Sequence, residues 1–240
     1  MGLPDSFLLI CLTMFVAALV KASLGFGESM LAIPLLTMIL GVQMAGPLIA
    51  LIVFVITGVM LIQNWQRIDL HEIHILTGAA VVGVPVGIFA LKALPSSIVT
   101  SLLGWILMFI GLYLLFNPAL RPVDGIWWTL GFGFASGVFG GAYNIAGAPI
   151  IVYGALRRWD SAYFRGSLQS YFLVVSIIVV SGHAISGFWT RQLLQIAVYS
   201  IPAIAVGYWV GYRIADKVPK RSFETVLYVV MVSLGLTLIF

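Results

Sequence analysis

From residue 6 onward the sequence is a succession of helix-length apolar runs, parted by polar stretches of only a few residues. A hydrocarbon core about 30 Å thick takes roughly 20 apolar residues per helical crossing, and runs of that length recur along the whole chain. Only 8% of the residues are charged, against about a quarter in soluble domains, so lipid is the solvent this sequence suits. The reading is an all-α, multi-pass integral membrane protein with the bilayer as its main partner and no room for a soluble domain. Its 25 Gly and 10 Pro fit that reading, because neighbouring helices in a membrane re-satisfy the backbone groups these residues free. The net charge of +4 comes from cations scattered through short loops; they act as topology signals and leave no basic face for nucleic acid. Cys11 is the single cysteine and has no partner for an intramolecular disulfide. The opening Met1-Gly2-Leu3-Pro4-Asp5 lacks a basic n-region, so no cleaved leader is expected.

Loop signals fall at 41–46, 64–72, 92–97, 117–125, 157–165, 187–192 and 213–222. Two of the apolar runs between them, about 6–40 and 126–156, are too long for one crossing, and each contains a cluster of small residues: Leu24-Gly25-Phe26-Gly27 and Phe139-Gly140-Gly141-Ala142. Each run reads as two short helices joined by a break. The chain also repeats itself. At an offset of 124 residues Gly58, Trp65, Arg67, Leu70, Gly83, Gly87, Pro95 and Gly111 meet Gly182, Trp189, Arg191, Leu194, Gly207, Gly211, Pro219 and Gly235. The broken segments align at 115, Gly25 with Gly140 and Pro34 with Pro149, so the second half holds 124 − 115 = 9 extra residues around Arg157-Arg158-Trp159-Asp160. The division is an N-terminal repeat over 1–120 and a C-terminal repeat over 121–240.

Parity sets the architecture. With each broken run counted as two segments there are five per half, and an odd number places the halves in opposite orientations, as two five-segment inverted repeats with broken first helices. Arg67, Arg121, Arg157, Arg158, Arg165, Arg213, Lys217, Lys220 and Arg221 then share one side, against Lys92 and Arg191 on the other, which makes the first side cytoplasmic. The alternative is eight transmembrane helices in two parallel four-helix repeats.

The breaks are the first candidates for chemistry, because a helix that stops in lipid exposes amides no lipid can satisfy. Helix N-termini bind anions, and discontinuous helices form the substrate site of many inverted-repeat transporters. Restarts are expected at Glu28-Ser29 and at Tyr143-Asn144. The same glycines also suit close helix packing. Lys21 adds a positive charge for an anion, whereas Glu28 repels one unless it is protonated or paired, which makes it a proton-coupling candidate. A Lys21–Glu28 ion pair is the other reading of both residues. Arg165 and Gln169 share a helix face after the basic loop, and a guanidinium grips two oxoanion oxygens; setting orientation is the alternative for Arg165. His183 reads as a satisfied polar group, and His71 and His74 beside Glu72 resemble no closed metal site. No nucleophile elbow, phosphate loop or zinc-binding pair is present, so neither an enzyme nor a cofactor is expected.

Lys21-Ala-Ser-Leu-Gly-Phe-Gly27 with Pro34, and Gly137-Val-Phe-Gly-Gly141 with Pro149, resemble the twin glycine motifs of the TauE/SafE family of sulfite exporters. Arg165-Gly166-Ser167-Leu168 and the paired helices ending in Pro95 and Pro219 extend the likeness over nearly the whole chain. The resemblance implies a bacterial or archaeal inner-membrane permease that exports sulfite or a small sulfur-containing or organic anion, driven by the proton gradient. Glu28 and Tyr143 depart from the glycine-richest form of the motif. The combined expectation is a secondary transporter working by alternating access, with its site between the two breaks formed by Lys21, Gly25, Phe26, Gly27, Ser29, Gly140, Gly141, Ala142, Tyr143, Asn144, Arg165 and Gln169. An anion channel and a membrane-embedded enzyme are the rivals. The oligomeric state is left open between monomer and homodimer.

Overall fold

A computed structural model describes residues 6–64, 74–116, 122–159, 161–215 and 220–240, and gives the backbone alone for 60–64, 161–170 and 220–223. Among the described residues every regular element is an α-helix: α1 Phe7–Leu24, α2 Glu28–Leu40, α3 Val42–Asn64, α4 His74–Ala93, α5 Ser96–Phe116, α6 Ile126–Tyr143, α7 Gly147–Leu156, α8 Ser161–Ile185, α9 Arg191–Ile214 and α10 Lys220–Ile239. Both overlong runs are interrupted, which sets aside the eight-helix alternative. Helices α1, α3, α4, α5 and α9 are long and apolar enough to cross a membrane. At 1.5 Å per residue, the 13-residue α2 and the 10-residue α7 reach only about 20 and 15 Å, well short of a crossing. The loop expected at 41–46 shrinks to Gly41, which turns the chain at φ +81° between α2 and α3.

The chain forms two compact units that draw on both sequence halves. One comprises Met1–Ile49, Leu94–Pro118 and Trp189–Phe240; the other comprises Ala50–Ala93 and Ala119–Phe188.

In the second unit α4 and α6 pack in parallel through bare α-carbons. A Cβ on Gly83 would stand 2.3 Å from the Phe134 carbonyl oxygen, and one on Gly87 2.1 Å from that of Val138. From the other side, Gly133, Gly137 and Gly141 face the carbonyls of Leu76, Ala80 and Val84 at 2.1–2.4 Å. Lipid supplies no hydrophobic drive between helices, so close backbone contact between small residues is what holds them.

The first unit repeats this device. Gly207 and Gly211 on α9 face the carbonyls of Phe15 and Leu19 on α1, again in parallel. Its other pair, α5 and α10, runs antiparallel: Gly104 meets the Gly235 carbonyl, while Gly111 meets Val232 and the Tyr228 carbonyl. The 124-residue offset carries Gly104 onto Tyr228 and Gly111 onto Gly235, so each contact is the image of the other. Repeat mates packed antiparallel about such a pseudo-two-fold belong to an inverted repeat; parallel repeats would bring them together in the same direction.

This packing separates glycines that look alike in sequence. Gly87→Ala forces a methyl into the Val138 carbonyl and is expected to lower stability by about 1–3 kcal/mol, the usual range for overpacking. Gly78→Ala, in the same helix with nothing within 4 Å, is expected to be neutral or to stabilise by up to about 1 kcal/mol. Thermal unfolding of both variants in detergent checks this, and equal melting temperatures would contradict the packing.

Candidate functional site

The first break is made by two glycines in left-handed conformations. Gly25 (φ +84°) ends α1 and donates its N–H to the Lys21 carbonyl at 2.8 Å; Gly27 (φ +91°) precedes α2. A side chain at either φ is strained, so two turns this tight in three residues require glycine. The helix restarts at Glu28, as expected.

Lys21 lies in the last turn of α1 and Glu28 in the first turn of α2. Each charge therefore sits at the helix end whose dipole it complements. Lys21 Nζ donates to Glu28 Oε1 at 3.0 Å, with side-chain exposures of 1% and 7%. The ion-pair reading of these two residues is the one observed. Glu28 Oε2 is buried and has no hydrogen-bond partner among the described residues. Ser29 is buried beside the pair, and Phe26 is half-buried.

The second break differs in place and in chemistry. Helix α6 runs through Gly140, Gly141, Ala142 and Tyr143, and the interruption falls at Asn144–Ala146, with α7 starting at Gly147. The restart expected at Tyr143-Asn144 is thus displaced by about one turn. The reason is that the glycines here serve packing: Gly141 lets α6 meet the Val84 carbonyl of α4, and Gly140 faces the Ala146 methyl at 3.0 Å. Asn144 makes the turn instead (φ +55°, ψ +28°), donating its N–H to the Gly140 carbonyl, and Ile145 N–H reaches the Phe139 carbonyl at 3.2 Å. Asparagine is one of the few side chains that visits this conformation readily.

Neutral hydrogen bonds hold this break. Buried Ser136 donates to the Ala146 carbonyl across it, and fully buried Tyr171 donates to Ser136 Oγ at 2.6 Å. His183 Nε2 meets the Gly141 carbonyl at 2.8 Å, an acceptor in the last turn of α6. His183 is a polar group bonded in the core, as expected; its Nδ1 has no partner among the described residues. Beyond the break the chain turns back: the Tyr153 and Thr129 hydroxyls lie 2.7 Å apart, Val123 N–H reaches the Leu156 carbonyl at 3.4 Å, and Arg157 pairs with Asp124. The pair α6–α7 is therefore a helical hairpin.

Ser136 was not expected from the sequence, although a signal for it exists. At the 115-residue offset it occupies the position of Lys21, as Tyr143 does that of Glu28 and Asn144 that of Ser29. A polar side chain just before each break straps the two arms together in both repeats. Arg165 and Gln169 belong to the backbone of α8, and their side chains lie outside the described residues, as do Arg67, His71, Glu72, Arg121 and Lys217.

The family model of the sulfite exporter TauE/SafE matches residues 10–238. No curated protein and no solved structure matches the chain.

Removing one partner of a buried ion pair leaves the other uncompensated at about 3–5 kcal/mol, whereas replacing both with apolar residues is often neutral or better. Lys21→Met alone is expected to show that loss, and Lys21→Met with Glu28→Met to recover most of it. Melting temperatures of the two variants test this, and a double variant as unstable as the single one would argue against a pairwise interaction.

Proposed function

Because the chain belongs to the TauE/SafE sulfite exporter family, whose members are membrane transporters rather than enzymes, we propose that it is a secondary transporter of sulfite or another small sulfur-containing or organic anion. It exports this anion across a bacterial or archaeal inner membrane. The observation that carries the reading is a lysine buried to the last per cent at a helix break, beside the first turn of the restarting helix. A buried cation at membrane depth is expensive and marks a substrate path, and the start of α2 adds amides and a positive dipole end.

In this reading Lys21, Ser29 and the backbone of Gly25, Phe26 and Gly27 meet the anion at the first break, and Glu28 couples its passage to protons. At the second break the ligands are backbone groups near Asn144, with Gly140, Gly141, Ala142 and Tyr143 shaping the arm that carries them. Arg165 and Gln169 complete the set from α8.

Alternating access between two inverted repeats requires that they adopt different conformations and exchange them. The helix pairs themselves keep one register: matched by their left-handed caps Gly25 and Asn144, the contacts of Gly83 with Phe134 and of Gly87 with Val138 become those of Gly207 with Phe15 and of Gly211 with Leu19, and both are present.

A thermal-shift screen of the purified protein against sulfite, sulfate, thiosulfate, sulfonates and carboxylates is expected to select one anion class. An anion at 100 times its Kd adds about 2.7 kcal/mol of stability. In proteoliposomes the selected anion is expected to show saturable uptake and counterflow, and Lys21→Ala to reduce that flux at least tenfold. Flux at the wild-type level in Lys21→Ala would remove the lysine from the site.

A further inference from the structure

We propose that the first break selects anions that carry a hydrogen-bond donor of their own, an O–H beside the negative charge, and that Glu28 Oε2 is the group that takes it. The class includes hydrogensulfite and hydroxylated sulfonates or carboxylates. Sulfate, thiosulfate and fully ionised sulfite fall outside it. This deepens the proposed function and rests on it, since the anion is the one held at Lys21 and the start of α2.

Glu28 Oε2 is an acceptor with nothing to accept. Among the described residues six buried side-chain polar atoms lack a hydrogen-bond partner, and Glu28 Oε2 is the one that belongs to an ion pair. The Glu28 side chain is only 7% exposed and Oε2 itself is buried, so bulk water does not supply the donor. A carboxylate accepts on both oxygens. Lys21 Nζ serves Oε1 at 3.0 Å, but a buried ion pair is stable only when its remaining lone pairs are bonded as well. Nearly all buried polar groups in folded proteins are satisfied, so an orphan of this kind points to a missing partner.

The position of the orphan says what that partner is. Glu28 is the first residue of α2, and no side chain caps this helix end. First-turn amides and the positive end of the helix dipole favour an anion there, in the same turn as the carboxylate. An anion that brings only acceptors sets lone pair against lone pair and leaves Oε2 unbonded. One with an O–H closes a charge-assisted hydrogen bond to the carboxylate, the stronger kind.

Selectivity is a difference of affinities. Repulsion between Glu28 and the ligand is shared by all anions of equal charge and shape, so it cancels between them and the donor decides. A site built to bond a substrate hydroxyl rejects the analogue without one, because its own polar group is then left unpaired. The second break makes no such demand. At the 115-residue offset Tyr143 stands where Glu28 does, and a phenol brings a donor of its own.

The test is calorimetric titration of the full-length protein with three matched pairs of anions, at one pH where phosphate is the dianion. The pairs are hydrogenphosphate and sulfate, 2-hydroxyethanesulfonate and propane-1-sulfonate, and glycolate and propionate. The members of each pair share charge and size and differ in one O–H. In every pair that binds, the hydroxyl-bearing member is expected to bind at least about tenfold tighter, the scale of a hydrogen bond to a charged group. In Glu28→Gln the Lys21 ammonium, a donor only, holds the amide carbonyl, so an NH2 replaces Oε2 and offers a donor instead. The hydroxyl preference should then shrink to within about twofold or reverse.

A wild-type preference short of tenfold, or one for the acceptor-only member, overturns the proposal, and neither result requires Glu28→Gln to fold. An undiminished preference in a folded Glu28→Gln overturns the assignment to Glu28. If no member of any pair binds, the anion site itself is refuted, a failure of the proposed function that the pairwise comparison keeps apart from a failure of this inference.

Discussion

In hydrocarbon there is no water to complete a hydrogen bond, so a helix that stops must find partners for its end groups within the protein. The rest of this architecture is organised around meeting that demand twice. At the first break the solution is ionic: a lysine in the last turn of α1 and a glutamate in the first turn of α2, each at the pole it complements, close on one another over a turn of two left-handed glycines. At the second it is neutral: Asn144 turns the chain, His183 meets the Gly141 carbonyl, and the Tyr171–Ser136 relay holds the Ala146 carbonyl. One repeat position, occupied by Lys21 in one half and Ser136 in the other, straps both.

That difference has a functional consequence. Ion pairs in low dielectric respond strongly to an added charge, whereas a satisfied hydrogen-bond relay is rigid and specific but indifferent to charge. The first break is therefore the one whose energy an added charge would change. The second has the chemistry of a fixed hairpin, with α7 folded back so that Leu156 reaches Val123.

The glycines do two unrelated things. Gly25 and Gly27 supply backbone angles. Gly83, Gly87, Gly137, Gly141, Gly207 and Gly211 supply absent methyl groups where one helix carbonyl approaches another backbone. The second use sets the parallel pairs α4–α6 and α1–α9.

Much of this was legible in one dimension. Run length compared with bilayer thickness marks a membrane protein, the excess length of two runs marks the breaks, and five segments per half make the repeat inverted; all of these are counts along the chain. The first break, with Lys21 and Glu28 seven residues apart across it, was also readable, because local backbone strain and local charge lie within a few residues of each other. What only the tertiary structure decided was the location of the second break, the packing role of Gly141, the joining of Ser136, Tyr171 and His183 around one turn, and the composition of the compact units. The physical reason is that a glycine needed for its φ angle and a glycine needed for its missing Cβ are the same letter. Which demand it answers depends on whether another helix's carbonyl stands 2 Å from that vacancy, and only the folded chain brings the carbonyl there.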